Sequence, residues 1–162
     1  EHLGPGPGLY LSYGAYPQPD GHMVFPQGLW NAATQRVESL ELADISEDAA
    51  HAWLDDSGGP LHPAQGQTEP LAEKPAAYTW NKAPRLAGAV LETGALARQL
   101  IAGQPLLRDA VARCGATVYT RVLARLVELA RVVPLMEQWL MALRPGEPYY
   151  RAAELPDRKS VV

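Results

Sequence analysis

Thr117-Val118-Tyr119-Thr120-Arg121-Val122-Leu123-Ala124-Arg125-Leu126-Val127-Glu128-Leu129 carries the clearest periodicity in the chain. Val118, Val122, Leu126 and Leu129, continued by Val133, Met136 and Leu140, recur at spacings of four and three and so share one helix face. Thr117 is placed to cap the start of this helix and Arg144-Pro145-Gly146 to end it. Pro134 removes one backbone hydrogen bond and predicts a kink. Arg121, Arg125, Glu128, Arg131 and Glu137 interrupt the apolar run too often for a membrane span. A second face, Leu123, Val127, Ala130 and Trp139, is apolar as well. A helix with so little polar surface belongs in the middle of a larger core, and the chain offers only one or two partner helices to cover it. The isolated chain is therefore expected to expose a wide apolar face and to associate.

Toward the N-terminus the helical period begins at about residue 88, where Leu91, Leu96, Leu100 and Ile101 form an apolar face ending at Gly103-Gln104-Pro105. Pro105 suits the first turn of a second, short helix, and Gly115 its termination. Residues 1–76 read differently. Leu9-Tyr10-Leu11-Ser12-Tyr13 predicts a strand, Tyr16-Pro17-Gln18-Pro19-Asp20-Gly21 a turn, and Met23-Val24-Phe25 a strand pairing back as a hairpin. Val37 to Leu42 predicts a further short strand. Residues 55–76 are rich in proline and glycine, without periodicity, and read as extended coil that needs a neighbouring surface to lie on. The fold class is α+β, mainly α: short strands and coil over 1–76, an incomplete helical bundle over 77–162. The whole chain, 1–162, reads as one partial domain.

At 162 residues with 47% hydrophobic side chains, the chain is long enough for a sizeable core. A net charge of -4 with scattered cations argues against nucleic acid as a partner. The single cysteine, Cys114, excludes an internal disulfide. The first residues lack a basic region and apolar core, so they are not a signal peptide. Both ends read as cut from a longer protein.

Catalytic chemistry is hard to find in the residues themselves. The histidines, His2, His22, His51 and His62, include no pair at the four-residue spacing of a helical zinc site, and Cys114 has no cysteine or histidine near it in sequence. His51 lies in Ile45-Ser46-Glu47-Asp48-Ala49-Ala50-His51-Ala52-Trp53, where the bland expectation is a partly buried ring bonded to a backbone carbonyl. Tyr78-Thr79-Trp80-Asn81-Lys82-Ala83-Pro84-Arg85 sets two cations among aromatics. Solvated cations with Trp80 as a core anchor is the plainer expectation; cations that hold a carboxylate or a cofactor's ligands is the sharper one. Asp55-Asp56, in a Gly/Pro loop, is expected to be simply solvated.

Five of these segments, in order over residues 9–98, resemble the middle of the large subunit of nickel-iron hydrogenases. Leu11-Ser12-Tyr13-Gly14-Ala15-Tyr16 resembles the family's Ser-Tyr/Phe-Gly segment, and Ile45 to Trp53 the stretch ending in His-Ser-Trp. His62-Pro63-Ala64-Gln65-Gly66-Gln67-Thr68 resembles His-Pro-x-x-Gly-x-Thr. Tyr78 to Arg85 is similar to Tyr-Thr/Ser-Trp-x-Lys-Ala/Ser-Pro-Arg, and Glu92-Thr93-Gly94-Ala95-Leu96-Ala97-Arg98 to Glu-Val-Gly-Pro-Leu-Ala-Arg, with Thr93 and Ala95 departing. The helix bearing Arg121 and Arg125 fits the family's next helix. The quinone-site subunit of respiratory complex I shares the ancestral fold, but Trp-x-Lys-x-Pro-Arg points to hydrogenase, and the style of the segments to its uptake type.

The resemblance implies a large subunit that oxidises H2 and holds nickel and iron by two Cys-x-x-Cys pairs, thiolates suiting that centre. This chain has neither pair, so no cofactor is expected on it, the Ni-Fe centre belonging to the full-length subunit, and the fragment is expected to be inactive. Its implied partners are the rest of the large subunit and the iron-sulfur small subunit, with no transmembrane segment. His51 and Trp53 are expected at the subunit interface, and Lys82 and Arg85 in support roles. The family has cytoplasmic and exported members, and a cytoplasmic or membrane-associated location is favoured. The alternative is a free-standing, metal-free interaction or scaffold module derived from the same fold.

Overall fold

The computed structural model describes residues 3–148 and 150. His2 and the C-terminal run Asp157 to Val162 fall outside them. One compact unit ends at Glu128 and a second begins at Leu129.

In the first unit, β1 (Leu9–Pro17) and β2 (Met23–Asn31) form the expected antiparallel hairpin, with Tyr10 opposite Trp30 and Pro17 opposite Met23. The Asp20-Gly21 turn closes it. His22 N donates to Asp20 Oδ1 at 2.9 Å, and Gly21 takes a positive φ of 82° that a side chain would oppose. β3 (Arg36–Glu38) extends the sheet on the far side of β2, followed by a 3-10 turn at Leu42–Asp44, so the expected strand over 37–42 is shorter and shifted. β4 (Ile45–Asp48), β5 (Ala83–Leu86) and β6 (Ala89–Val90) make a second, antiparallel sheet. β7 (Glu92–Thr93) pairs parallel to β1, giving the first sheet the order β3-β2-β1-β7.

The α+β class stands, but the helical part starts later than its sequence period. Residues 83–93 hold the three short strands β5 to β7, and the first helix, α1 (Ala95–Ile101), begins after Gly94. The cause is local: Ala87 and Gly88 both take positive φ and turn β5 tightly into β6. Leu91 is nonetheless buried, as are Leu96, Leu100 and Ile101. α2 (Pro105–Cys114) has Pro105 at its first turn, the Gln104 side chain accepting from Leu106 N, and Gly115 at its end with φ 71°. α3 runs Val118–Met141 and continues past Pro134.

The core joins Tyr10 and Trp30 of the hairpin to Leu96, Ala97, Leu100 and Ile101 of α1, Leu107 of α2 and Ala124 of α3. α1 meets the sheet closely at Gly28, where a Cβ would stand 3.3 Å from Ile101 Cγ2. Within the first unit α3 turns Thr120 and Ala124 inward, with Leu123 and Val127 packed on the core, while Val118, Val122 and Leu126 are exposed. Of the two apolar faces, the one bearing Leu123 and Val127 is thus the one turned inward, flanked by the short side chains of Thr120 and Ala124. In the second unit Leu129, Val133, Met136 and Leu140 are also exposed. No helix among the described residues is long and apolar enough to cross a membrane.

Candidate functional site

β4 and β5 alternate their side chains between two faces, and this sorts the charges of the Trp80-to-Arg85 segment. Asp48 lies opposite Ala83, so Arg85, two residues on, is its diagonal neighbour on one face; their side chains meet at 3.1 Å. Glu47 lies opposite Pro84, so Lys82 is its diagonal neighbour on the other face, also at 3.1 Å. Both cations are largely covered, at 19% and 21% side-chain exposure. They are not simply solvated: each pairs with a carboxylate. Trp80, in contrast, is 54% exposed and is not a core anchor.

Next to this sheet, His51-Ala52-Trp53 runs parallel to Tyr78-Thr79-Trp80, with a bridge between Ala52 and Thr79. Tyr78 N donates to His51 O at 3.0 Å and Trp53 N to Thr79 O at 2.9 Å. Ala52 is buried, and the residues on either side carry two ring pairs. His51 stacks on Tyr78 with centroids 5.5 Å apart, and Trp53 meets Trp80 at 5.3 Å, tilted by 53°. His51 is thus an exposed, stacked ring and not the partly buried one expected. His51 and Arg85 line one small hollow of about 60 Å³ with Asp48, Tyr78 and Asn81. Lys82 lines a separate polar cavity of about 290 Å³ with Glu47, Asp55, Gly59 and Gly66. Lys82 and Arg85 therefore lie on opposite faces, with His51 on the side of Arg85.

The coil over 55–76 lies against its own flanks: Asp55 N donates to Glu69 O at 2.8 Å and Leu71 N to Trp53 O at 2.9 Å. Lys74 Nζ reaches Ala49 O at 2.9 Å, Leu54 O at 3.0 Å and Asp56 Oδ1 at 2.8 Å. Asp56 is accordingly paired, and Asp55 accepts from both the backbone and the hydroxyl of Ser57. Those Ser57 bonds, chiefly the hydroxyl's, hold the Asp55 carboxyl below its usual range. His62 Nδ1 accepts from Ala64 N, a local turn contact.

Two charged residues of the Glu92-to-Arg98 segment meet opposite charges on α3. The Arg121 guanidinium forks onto both oxygens of Glu92, at 2.8 Å each, and Arg98 does the same to Glu128 at 2.8 and 2.6 Å. The hydrogen bonds to the carboxylates, foremost among the causes, hold the protons of both guanidinia more firmly than usual. The Arg98–Glu128 pair borders a cavity of about 300 Å³ beside Ser12, Tyr16 and Gly94. Neither pair was predicted from sequence, although Arg121 and Glu128 sit seven residues, two helical turns, apart.

Among the described residues no three His, Cys, Asp or Glu side chains cluster so as to hold a metal ion. The one cysteine, Cys114, gives its thiol to Ala110 O, one turn back in α2.

The sequence model of a family described as nickel-dependent hydrogenase matches residues 1–153. The periplasmic [NiFeSe] hydrogenase large subunit of Desulfomicrobium baculatum is 28% identical, over 91% of this chain and 32% of its own length. The uptake hydrogenase large subunit of Rhodobacter capsulatus is 32% identical, over 54% of this chain and 19% of its own. A solved structure of the H2-activated Dm. baculatum [NiFeSe]-hydrogenase superposes with a TM-score of 0.75 at 27% identity, covering 96% of this chain and 35% of that one. The chain thus spans about a third or less of the length of these relatives.

Proposed function

Since the chain belongs to the nickel-dependent hydrogenase family, we propose that it is the stretch of a large subunit between the two cysteine pairs that hold the Ni-Fe centre. In the complete enzyme that centre oxidises H2 to two protons and two electrons. The observation that carries the reading is the family match over 1–153 combined with the five ordered segments. The donor set of this chain does not fit the centre itself: one thiol, engaged with its own helix, cannot supply the soft ligands such a site needs. By itself the chain is inactive, and its work is scaffolding. The likeness to the Rhodobacter uptake enzyme favours the uptake direction.

His51 and Trp53, with the rings packed against them, are the side turned toward the iron-sulfur subunit. What supports this is the exposure of Tyr78, at 72%, and of Trp80 on a ribbon whose backbone is tied down. Large aromatic side chains held in place are the usual anchors of protein interfaces. Lys82 and Arg85 support the ribbon through Glu47 and Asp48.

The test compares two proteins. The chain alone should bind no stoichiometric nickel and show no H2-dependent dye reduction. The same 162 residues, placed in frame between segments carrying both cysteine pairs and co-expressed with an iron-sulfur subunit, should do both. Nickel bound stoichiometrically by the chain alone, or an inactive reconstructed enzyme, overturns the reading.

A further inference from the structure

Lys74 belongs to none of the ordered segments, yet it is among the best-bonded side chains of the coil. An ammonium group has three N–H donors. Here three oxygens surround it: Ala49 O, Leu54 O and Asp56 Oδ1, all within 3.0 Å, with the side chain only 10% exposed. The two carbonyls belong to residues on either side of His51-Ala52-Trp53. A flexible lysine stem is ordered and removed from water only where its bonds compensate. This lysine is spent on the segment that carries the candidate interface, and from a position 20 to 25 residues away.

Backbone bonds to Thr79 and from Leu71 and Tyr78 fix the middle of that segment, while Ala52 N donates to Ala49 O and Leu54 bridges to Pro70 at its ends. Lys74 fixes both of its ends, in the way a bound cation organises a loop. We infer that Lys74 is a positioning residue that presents His51 and Trp53, and the Tyr78 and Trp80 rings packed on them, as one preorganised face for the iron-sulfur subunit. The docking half of this inference rests on the function proposed above; the positioning half does not. Preorganisation matters because ordering an interface during association subtracts from affinity.

Lys74→Met removes the charge and keeps the stem. In the 162-residue chain, amide hydrogen exchange at Trp53, Leu71 and Tyr78 should speed at least tenfold, while amides of the β1–β2 hairpin keep their protection. Dissociation from the iron-sulfur subunit, measured with the in-frame large subunit, should speed by a similar factor. Asp56→Asn should give a smaller effect of the same kind, and methylammonium should partly restore protection in Lys74→Ala. Unchanged exchange at the three amides overturns the inference. So does equal loss of protection in the hairpin, which would make Lys74 a general stabiliser. Faster exchange with unaltered dissociation overturns the docking half. Should the unsubstituted large subunit fail to bind the iron-sulfur subunit, the function proposed above fails together with the docking half, and the exchange result still decides the positioning half.

Discussion

Gly6 stands where almost no side chain fits. A Cβ there would collide with the Tyr10 hydroxyl, and Tyr10 is 1% exposed at the centre of the core, so it cannot swing aside cheaply. Gly6→Ala should therefore cost about 1–3 kcal/mol, the usual range for overpacking, and thermal or urea unfolding of the variant checks it. Gly8, by contrast, has open space around its Cβ position, so any cost there comes from its φ of 89° alone. At this scale the sequence was only partly legible. Nothing in Gly4-Pro5-Gly6-Pro7-Gly8 foretold contact with Tyr10. His51, Trp53, Lys82 and Arg85 were found through their motifs, and the diagonal pairing of Lys82 and Arg85 follows from strand alternation once the register is known. Lys74 was beyond reach, because its three partners lie 18 to 25 positions away and two of them are backbone carbonyls that any residue would supply.

α3 begins with a reciprocal pair. Thr120 Oγ1 accepts from Thr117 N at 2.8 Å and lies 3.0 Å from Thr117 O, while Thr117 Oγ1 is a longer 3.5 Å from Thr120 N. Thr117 was legible as a cap; the stronger partner is Thr120, which is fully buried. Thr120→Val keeps the shape and leaves Thr117 N unpaired, so we expect a loss of about 1–3 kcal/mol, read as a lower urea midpoint with an unchanged slope. The elements that sequence resolved best are those with punctuation, such as α2 between Pro105 and Gly115 and the hairpin around Asp20-Gly21. The elements it missed are β4 to β7. Each is two to four residues long, too short to display a period of two, and they exist because partners distant in sequence pair with them.

For the molecule as a whole, periodicity identified both apolar faces of α3 but could not say which one the first unit buries. Both are apolar enough; the choice falls to the close fit of Thr120 and Ala124 against the core. The outer face leaves Val118, Val122 and Leu126 at 50–59% exposure in the first unit and Leu129, Val133, Met136 and Leu140 at 57–66% in the second. Apolar residues so repeated along one face mark an interaction surface. The chain alone should self-associate at micromolar concentration, and Val122→Lys with Leu126→Glu should shift sedimentation toward monomer; a monodisperse unsubstituted chain would contradict this. The N-terminal segment adds a different constraint. Leu3 O accepts from Val118 N, Gly6 N donates to Ala116 O, and Arg121 reaches Gly4 O across 117 positions. Closing loops of that span is slow compared with local hairpin formation. During translation, then, the hairpin bearing Tyr10 and Trp30 is made before residues 115–121, and its N-terminal tether can close only once those residues have left the ribosome.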